Sequence, residues 1–123
     1  MQGAGALMDR VAFKLDGAEQ VKAKLVDISE KTEQKMKEAV GEAGLNIQRN
    51  AKLVCPVDTG TLRNSIMVDF QGLTATVHTN IPYAPYVEFG TFKMRARPYL
   101  TPAAEMEQPK FINKLIEILK EVK

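Results

Sequence analysis

The sequence predicts an α+β fold in which helical and extended segments stay apart along the chain. Three observations predict it. Apolar residues recur at helical spacing over residues 18–54. Two short segments between 66 and 77 alternate apolar and polar. A second helical stripe follows Thr101-Pro102.

Residues 1–17 carry Gly3, Gly5 and Gly17 around one apolar patch, Val11-Ala12-Phe13. They read as a flexible or docking N-terminal segment ahead of a single domain over 18–123. The patch suits a short strand, an element that docks on a neighbour, or a local anchor in a frayed terminus.

From Ala18 to Val54, Val21, Leu25, Ile28, Thr32, Met36, Val40, Ala43 and Ile47 follow one another at steps of three or four. That places them on one stripe of an α-helix, with lysines and glutamates largely off it. Glu33 and Lys37 stand i, i+4 in the favourable order. One helix of this length would run roughly 50 Å. A compact domain is narrower, so the helix is expected to project or to break, with Gly41 and Gly44 as the weak points. Pro56 ends the pattern.

Asp58 or Thr59 is placed to cap a short helical turn reaching Arg63. Ile66, Val68 and Phe70, then Leu73, Ala75 and Val77, define two strands with one apolar face each. Gln71-Gly72 lies between them as the turn. Residues 79–100 read as a long loop with a short ordered turn at Tyr86-Val87-Glu88. Gly90 is expected where the backbone needs a left-handed or tight conformation. Thr101 caps the last helix, Pro102 is its first residue, and Pro109 kinks or restarts it. Phe111, Leu115, Ile118 and Val122 form its stripe, joined by Ile112 and Leu119.

Composition narrows the function classes. The chain has 123 residues, enough for one domain. Its 45% hydrophobic and 26% charged residues are ordinary for a folded chain. A net charge of +2, from 17 basic and 15 acidic residues, is too even to argue for a nucleic-acid partner. No apolar run reaches membrane-spanning length, so no membrane partner is expected. Met1 to Met8 lacks the basic-then-apolar order of a secretory signal, and synthesis in a reducing cytoplasm is expected. One cysteine, Cys55, allows neither an intrachain disulfide nor an all-cysteine metal site.

No catalytic set emerges. His78 is the only histidine, and no serine sits in a nucleophile-elbow glycine pattern. On a strand, His78 falls on the face opposite Leu73, Ala75 and Val77, as a surface or interface residue does. Asp58 and Glu88 are the acids in distinctive local sequence, but capping and a loop-fixing ion pair account for them. Neither Gly60 nor Gly90 lies in phosphate-loop spacing. No cofactor or metal is expected. Lys93, Arg95 and Arg97, with Phe92 and Tyr99 beside them, form a short basic run. The run suits a solvated loop, an intersubunit ion-pair strip or contact with phosphate. Copies arranged round a hole would turn it into a charged ring able to touch DNA in the lumen.

Three segments in order resemble a known signature. Val57-Asp58-Thr59-Gly60-Thr61-Leu62-Arg63-Asn64-Ser65 fits V-D-T-G-x-L-R-x-S throughout. Tyr83 to Thr91 fits Y-A-x-Y-V-E-x-G-T, and Arg97-Pro98-Tyr99-Leu100-Thr101-Pro102-Ala103 fits R-P-F/Y-L-x-P-A. The chain resembles, over roughly residues 18–120, the phage "gene product ten"-like family of siphophage head–tail connector, neck or minor tail components. The resemblance implies a long N-terminal helix packed on a small antiparallel sheet, with a C-terminal helix. It implies a structural role at the virion head–tail junction, without catalysis. The implied partners are further copies of the chain in a ring, with other head–tail connector and tail proteins. A hexamer is the expectation by fold analogy with lambdoid tail-terminator proteins.

The motif residues make physical sense in that setting. Thr59-Gly60 turns the chain out of the long helix, and Leu62 buries against the sheet with Ile66. Arg63 is long enough to reach Glu88 and tie the first motif to the second. Tyr83, Tyr86 and Phe89 suit interface anchors. Two patches per copy would meet head to tail, the long helix with its hairpin against the 83–100 loop. The alternatives are a DNA-binding accessory using residues 93–97, a chaperone or adaptor for another tail protein, and a small hydrolase using Asp58, His78 or Glu88.

Overall fold

The computed structural model describes residues 11–15, 17–24, 29–56 and 60–121. In chain order these form β1 (Val11–Leu15), α1 (Gly17–Lys24), α2 (Glu30–Val54), α3 (Thr61–Asn64), β2 (Met67–Gln71), β3 (Thr74–Thr79), α4 (Ala84–Phe89) and α5 (Leu100–Lys120). The expected α+β architecture is present, with one long helix on a small antiparallel sheet and a second at the C-terminus.

The sheet order is β1-β3-β2, with both pairings antiparallel. The Val11-Ala12-Phe13 patch is therefore a strand. It hydrogen-bonds along β3 with Val11 opposite Thr79 and Leu15 opposite Ala75. Val11 and Leu15 are buried, so this part of the N-terminal segment belongs to the core. Alternation puts Val11, Phe13, Leu15, Ala75, Val77, Val68 and Phe70 on one face. That face meets the helices: α2 packs on β3 and β2, and α5 packs on β1 and along α2.

Periodicity alone read residues 18–54 as one helix; the structure divides it, and not at a glycine. A new helix starts at Ser29, whose extended backbone lets its side chain accept from the Thr32 N–H at 3.1 Å. Glu30 and Glu33 then favour the positive end of α2. The apolar stripe runs across this boundary, which is why spacing concealed it. Lys22 in α1 pairs with Glu33 at 2.8 Å.

Gly41 and Gly44 lie inside an unbroken α2. Gly44 has a packing reason. A Cβ there would stand 3.0 Å from the Ala75 Cβ, 3.1 Å from the Phe70 ring and 3.2 Å from a Val68 methyl. The missing side chain lets helix and sheet approach closely. Replacing Gly44 by Val is expected to destabilise the fold by about 3 kcal/mol in urea denaturation, because the clashing atoms belong to packed strands.

The hairpin turn is Gly72-Leu73, one residue later than the sequence reading, with Gln71 opposite Thr74. Gly72 takes φ +59°, the geometry a two-residue hairpin needs at its first central position. Leu73 turns into the core, and its N–H is held by Glu19 of α1 at 2.8 Å.

The last helix begins at Leu100, so Thr101 lies inside it and caps nothing with its side chain. Pro109 sits within one continuous helix on its exposed side. Phe111, Leu115 and Ile118 are buried as expected, whereas Ile112 is half exposed; Val122 lies outside the described residues.

Candidate assembly surface

The first motif builds a tight corner. Gly60 stands at φ +81° and precedes α3, with no side chain of its own to cap it. The one-turn helix buries Leu62 in a core cluster with Ile66, Ile47 and Tyr99. Ser65 donates to the Leu62 carbonyl at 2.7 Å and bonds the Thr79 hydroxyl, fixing the corner to β3. Asp58 and Thr59, expected as caps, lie outside the described residues. Arg63 is exposed.

The second motif contains a helix where the sequence suggested only a turn. Pro85 pre-sets the first turn of α4, and Ala84, Pro85 and Glu88 face inward. Tyr83, Tyr86 and Phe89, three residues apart, line the opposite side and are all exposed. One short helix thus buries an acid and displays three aromatic rings.

Gly90 reverses the chain. Its φ of +78° with ψ of 175° is a conformation open to glycine almost alone. A Cβ there would fall 2.7 Å from the Ala96 nitrogen and 2.9 Å from the Met94 oxygen. The loop beyond is closed on itself: Thr91 and Met94 exchange backbone bonds of 2.8 and 3.2 Å. The Thr91 hydroxyl accepts from the Lys93 and Met94 N–H groups at 3.1 and 3.0 Å. The Arg97 N–H then donates to Val87 at 2.8 Å. At the tip Phe92 is 96% exposed, with the Lys93 ammonium 5.6 Å from its ring centroid. Lys93, Arg95, Arg97 and Pro98 are exposed, and Met94 is partly so.

Glu88 is the keystone, and its partners are not those expected. The carboxylate is 2% exposed. One oxygen accepts from the Tyr99 and Leu100 N–H groups at 3.1 and 3.0 Å, the other from Thr101 at 2.9 Å. Glu88 therefore caps α5 from another part of the chain, supplying the charge a helix N-terminus favours. No ion pair joins it to Arg63 among the described residues, because both oxygens are taken by backbone. The second motif is thereby tied to the third, and not to the first. The one trace in the sequence is an acid in Y-V-E eleven residues before a helix start, at Tyr99, that has no capping side chain of its own.

Around this tether burial favours the neutral forms of two ionisable groups. Burial pushes the Cys55 thiol up, away from thiolate character. Burial and the Glu88 charge push the Tyr99 hydroxyl up. An open cleft of about 170 Å³ separates the two motifs, bounded by Pro56, Gly60, Leu62, Tyr83, Val87, Met94 and Arg97. His78 lies on the sheet face away from the helices, its Nε2 2.7 Å from Asp69. Glu88 is committed to backbone, so His78 and Glu88 do not converge. No trio of His, Cys, Asp or Glu suited to a metal occurs among the described residues. No helix there is long and apolar enough to cross a membrane.

The fold and this surface define a class: a small α+β domain whose distinctive motif residues shape a tethered aromatic loop and hold it outward. Over residues 19–90 the chain matches the family model described as "Bacteriophage HK97-gp10, putative tail-component". That is more than half of its length, and the chain belongs to the HK97-gp10-like family. The match takes in the first motif and nearly all of the second; the third lies beyond it. No curated protein and no solved structure matches the chain.

Proposed function

We propose that this chain is a non-enzymatic structural subunit of the phage or prophage head–tail junction, a neck, tail-completion or minor tail component that joins copies of itself into a ring. One observation carries the reading. Tyr83, Tyr86, Phe89, Phe92 and Met94 are exposed together on a segment held by a buried carboxylate and a self-bonded loop. Apolar patches of this kind mark interaction sites. Holding them still lowers the entropy lost on docking.

A second apolar set lies elsewhere, with Leu45 and Leu53 on α2 and Met67 and Phe70 on β2. Two unlike patches on one copy suit head-to-tail contact, which closes into a ring when the rotation per copy allows. Membership of a tail-component family supports neighbouring tail and connector proteins as the further partners.

The pair Tyr86→Asp and Phe92→Asp tests the reading. Both sites are exposed, so circular dichroism and the melting temperature should stay at wild-type values. Oligomers seen by native mass spectrometry, and incorporation into tails, should be lost. Undiminished assembly by the double variant refutes this reading.

A further inference from the structure

We propose that Gly41 on α2 is the seat for Phe92 of the next copy in the ring. The inference deepens the ring reading above and rests on it. Its starting point is a glycine that the fold does not explain. Glycine inside a helix is unfavourable relative to alanine, so one at mid-helix asks for a packing or functional reason. Gly44 has its reason in the sheet. Gly41 shows none among the described residues: apart from the adjoining backbone of its own helix, no atom lies within 4 Å of where its Cβ would be. The helix backbone is partly open there, and no Cβ stands in the way of close approach by an outside group.

The surroundings fit one occupant. Leu45, four residues on, and Gly44, three residues on, share the face of Gly41. The half-exposed Phe70 ring lies against Gly44 and extends that apolar face. Glu38 and Glu42 are exposed beside it. The groove next to them, between α2 and α5, adds Glu117 and Glu121 against Lys35 and Lys114, four carboxylates to two ammonium groups. Lys37 and Arg49 bound the face at its two ends. The matching piece on the same molecule is the tip of the tethered loop. It is a nearly fully exposed phenylalanine followed by Lys93 and Arg95, with no acid between residues 89 and 104. An aromatic ring over a bare helix turn, with cations meeting Glu38 and Glu42, satisfies both apolar and charge complementarity.

The seat makes one substitution act in opposite directions. Gly41→Ala should raise the melting temperature of dilute protein by about 4 °C, through helix propensity. It should also weaken self-association at least tenfold, because a methyl group fills the seat. Glu42→Lys and Arg95→Glu should each weaken association, and combining them should restore it. Glu38→Cys with Lys93→Cys, which flank the seat and its occupant and leave both intact, should give disulfide-linked ladders between copies under mild oxidation, in assembled protein and in isolated tails. If rings form normally with Gly41→Ala and the cysteine pair gives no ladder, the seat is wrong and the ring reading stands. If the wild-type chain forms no oligomer in solution and enters no particle, both fall. If Arg95→Glu weakens a shift of duplex DNA and leaves association unchanged, the basic residues serve DNA and the seat is again wrong.

Discussion

Replacing Glu88 by Ala is expected to cost about 3–5 kcal/mol in urea denaturation, a large share of the stability of a domain this size. Three backbone N–H groups lose a charged acceptor at once. Tyr99 and Leu100 are buried, so water cannot replace it for those two donors. The start of α5 should loosen first, seen as faster amide exchange at residues 99–101 with slower change further along the helix. Glu88→Gln separates charge from shape. Its oxygen can still accept, but its amide nitrogen would face an N–H donor, so about half of the loss is expected. A cost under about 1 kcal/mol for Glu88→Ala would show that the cap is not what holds the loop.

Gly90→Ala carries the second large effect, and it acts on backbone. Residue 90 combines a positive φ with an extended ψ, and an added methyl would meet Ala96 and Met94 main-chain atoms below contact distance. Neither strain can be relieved by turning a side chain. The expected loss is about 3 kcal/mol. The crossing of residues 90 and 96 should open, and with it the presentation of Phe92. Association should therefore fall further than stability alone predicts. The check is to compare the two at a temperature where the variant stays folded. Retained stability with retained association would mean the loop does not need this crossing.

Much of the frame was legible because period and burial coincide. Met36, Val40, Ala43 and Ile47 repeat at helical spacing and are all buried. Ala75 and Val77 alternate with polar neighbours and face the helices. Three features escaped for physical reasons. The helix start at Ser29 is written in a cap, and the apolar stripe runs across it. The β1 strand is five residues whose partners lie sixty or more positions away, so nothing local distinguishes it from an anchored terminus. Glu88 looked like a partner for Arg63 because acid–base pairing is the usual guess for a buried carboxylate. The N-terminus of α5, a partner made only of backbone, leaves no side chain to read. The aromatic set at 83, 86 and 89 was visible as residues; its display on one helix face depended on α4, which is too short for periodicity to announce.

The motifs also divide into two kinds of work. Gly60, Leu62 and Ser65 shape the corner that sets α3 on the sheet. Glu88, Gly90 and the first residues of α5 hold the loop in place. The residues that would meet another molecule, Phe92 above all, lie between these supports.

Electron microscopy of purified particles, labelled with antibody to this chain and followed by reconstruction of the labelled region, bears most directly on the central claim. The account predicts label at the capsid vertex or upper tail and a closed ring of repeated α+β units there, with residues 83–97 buried between copies. Absence from mature virions and from every assembly intermediate, or copies whose 83–97 loops face open solvent, would contradict it.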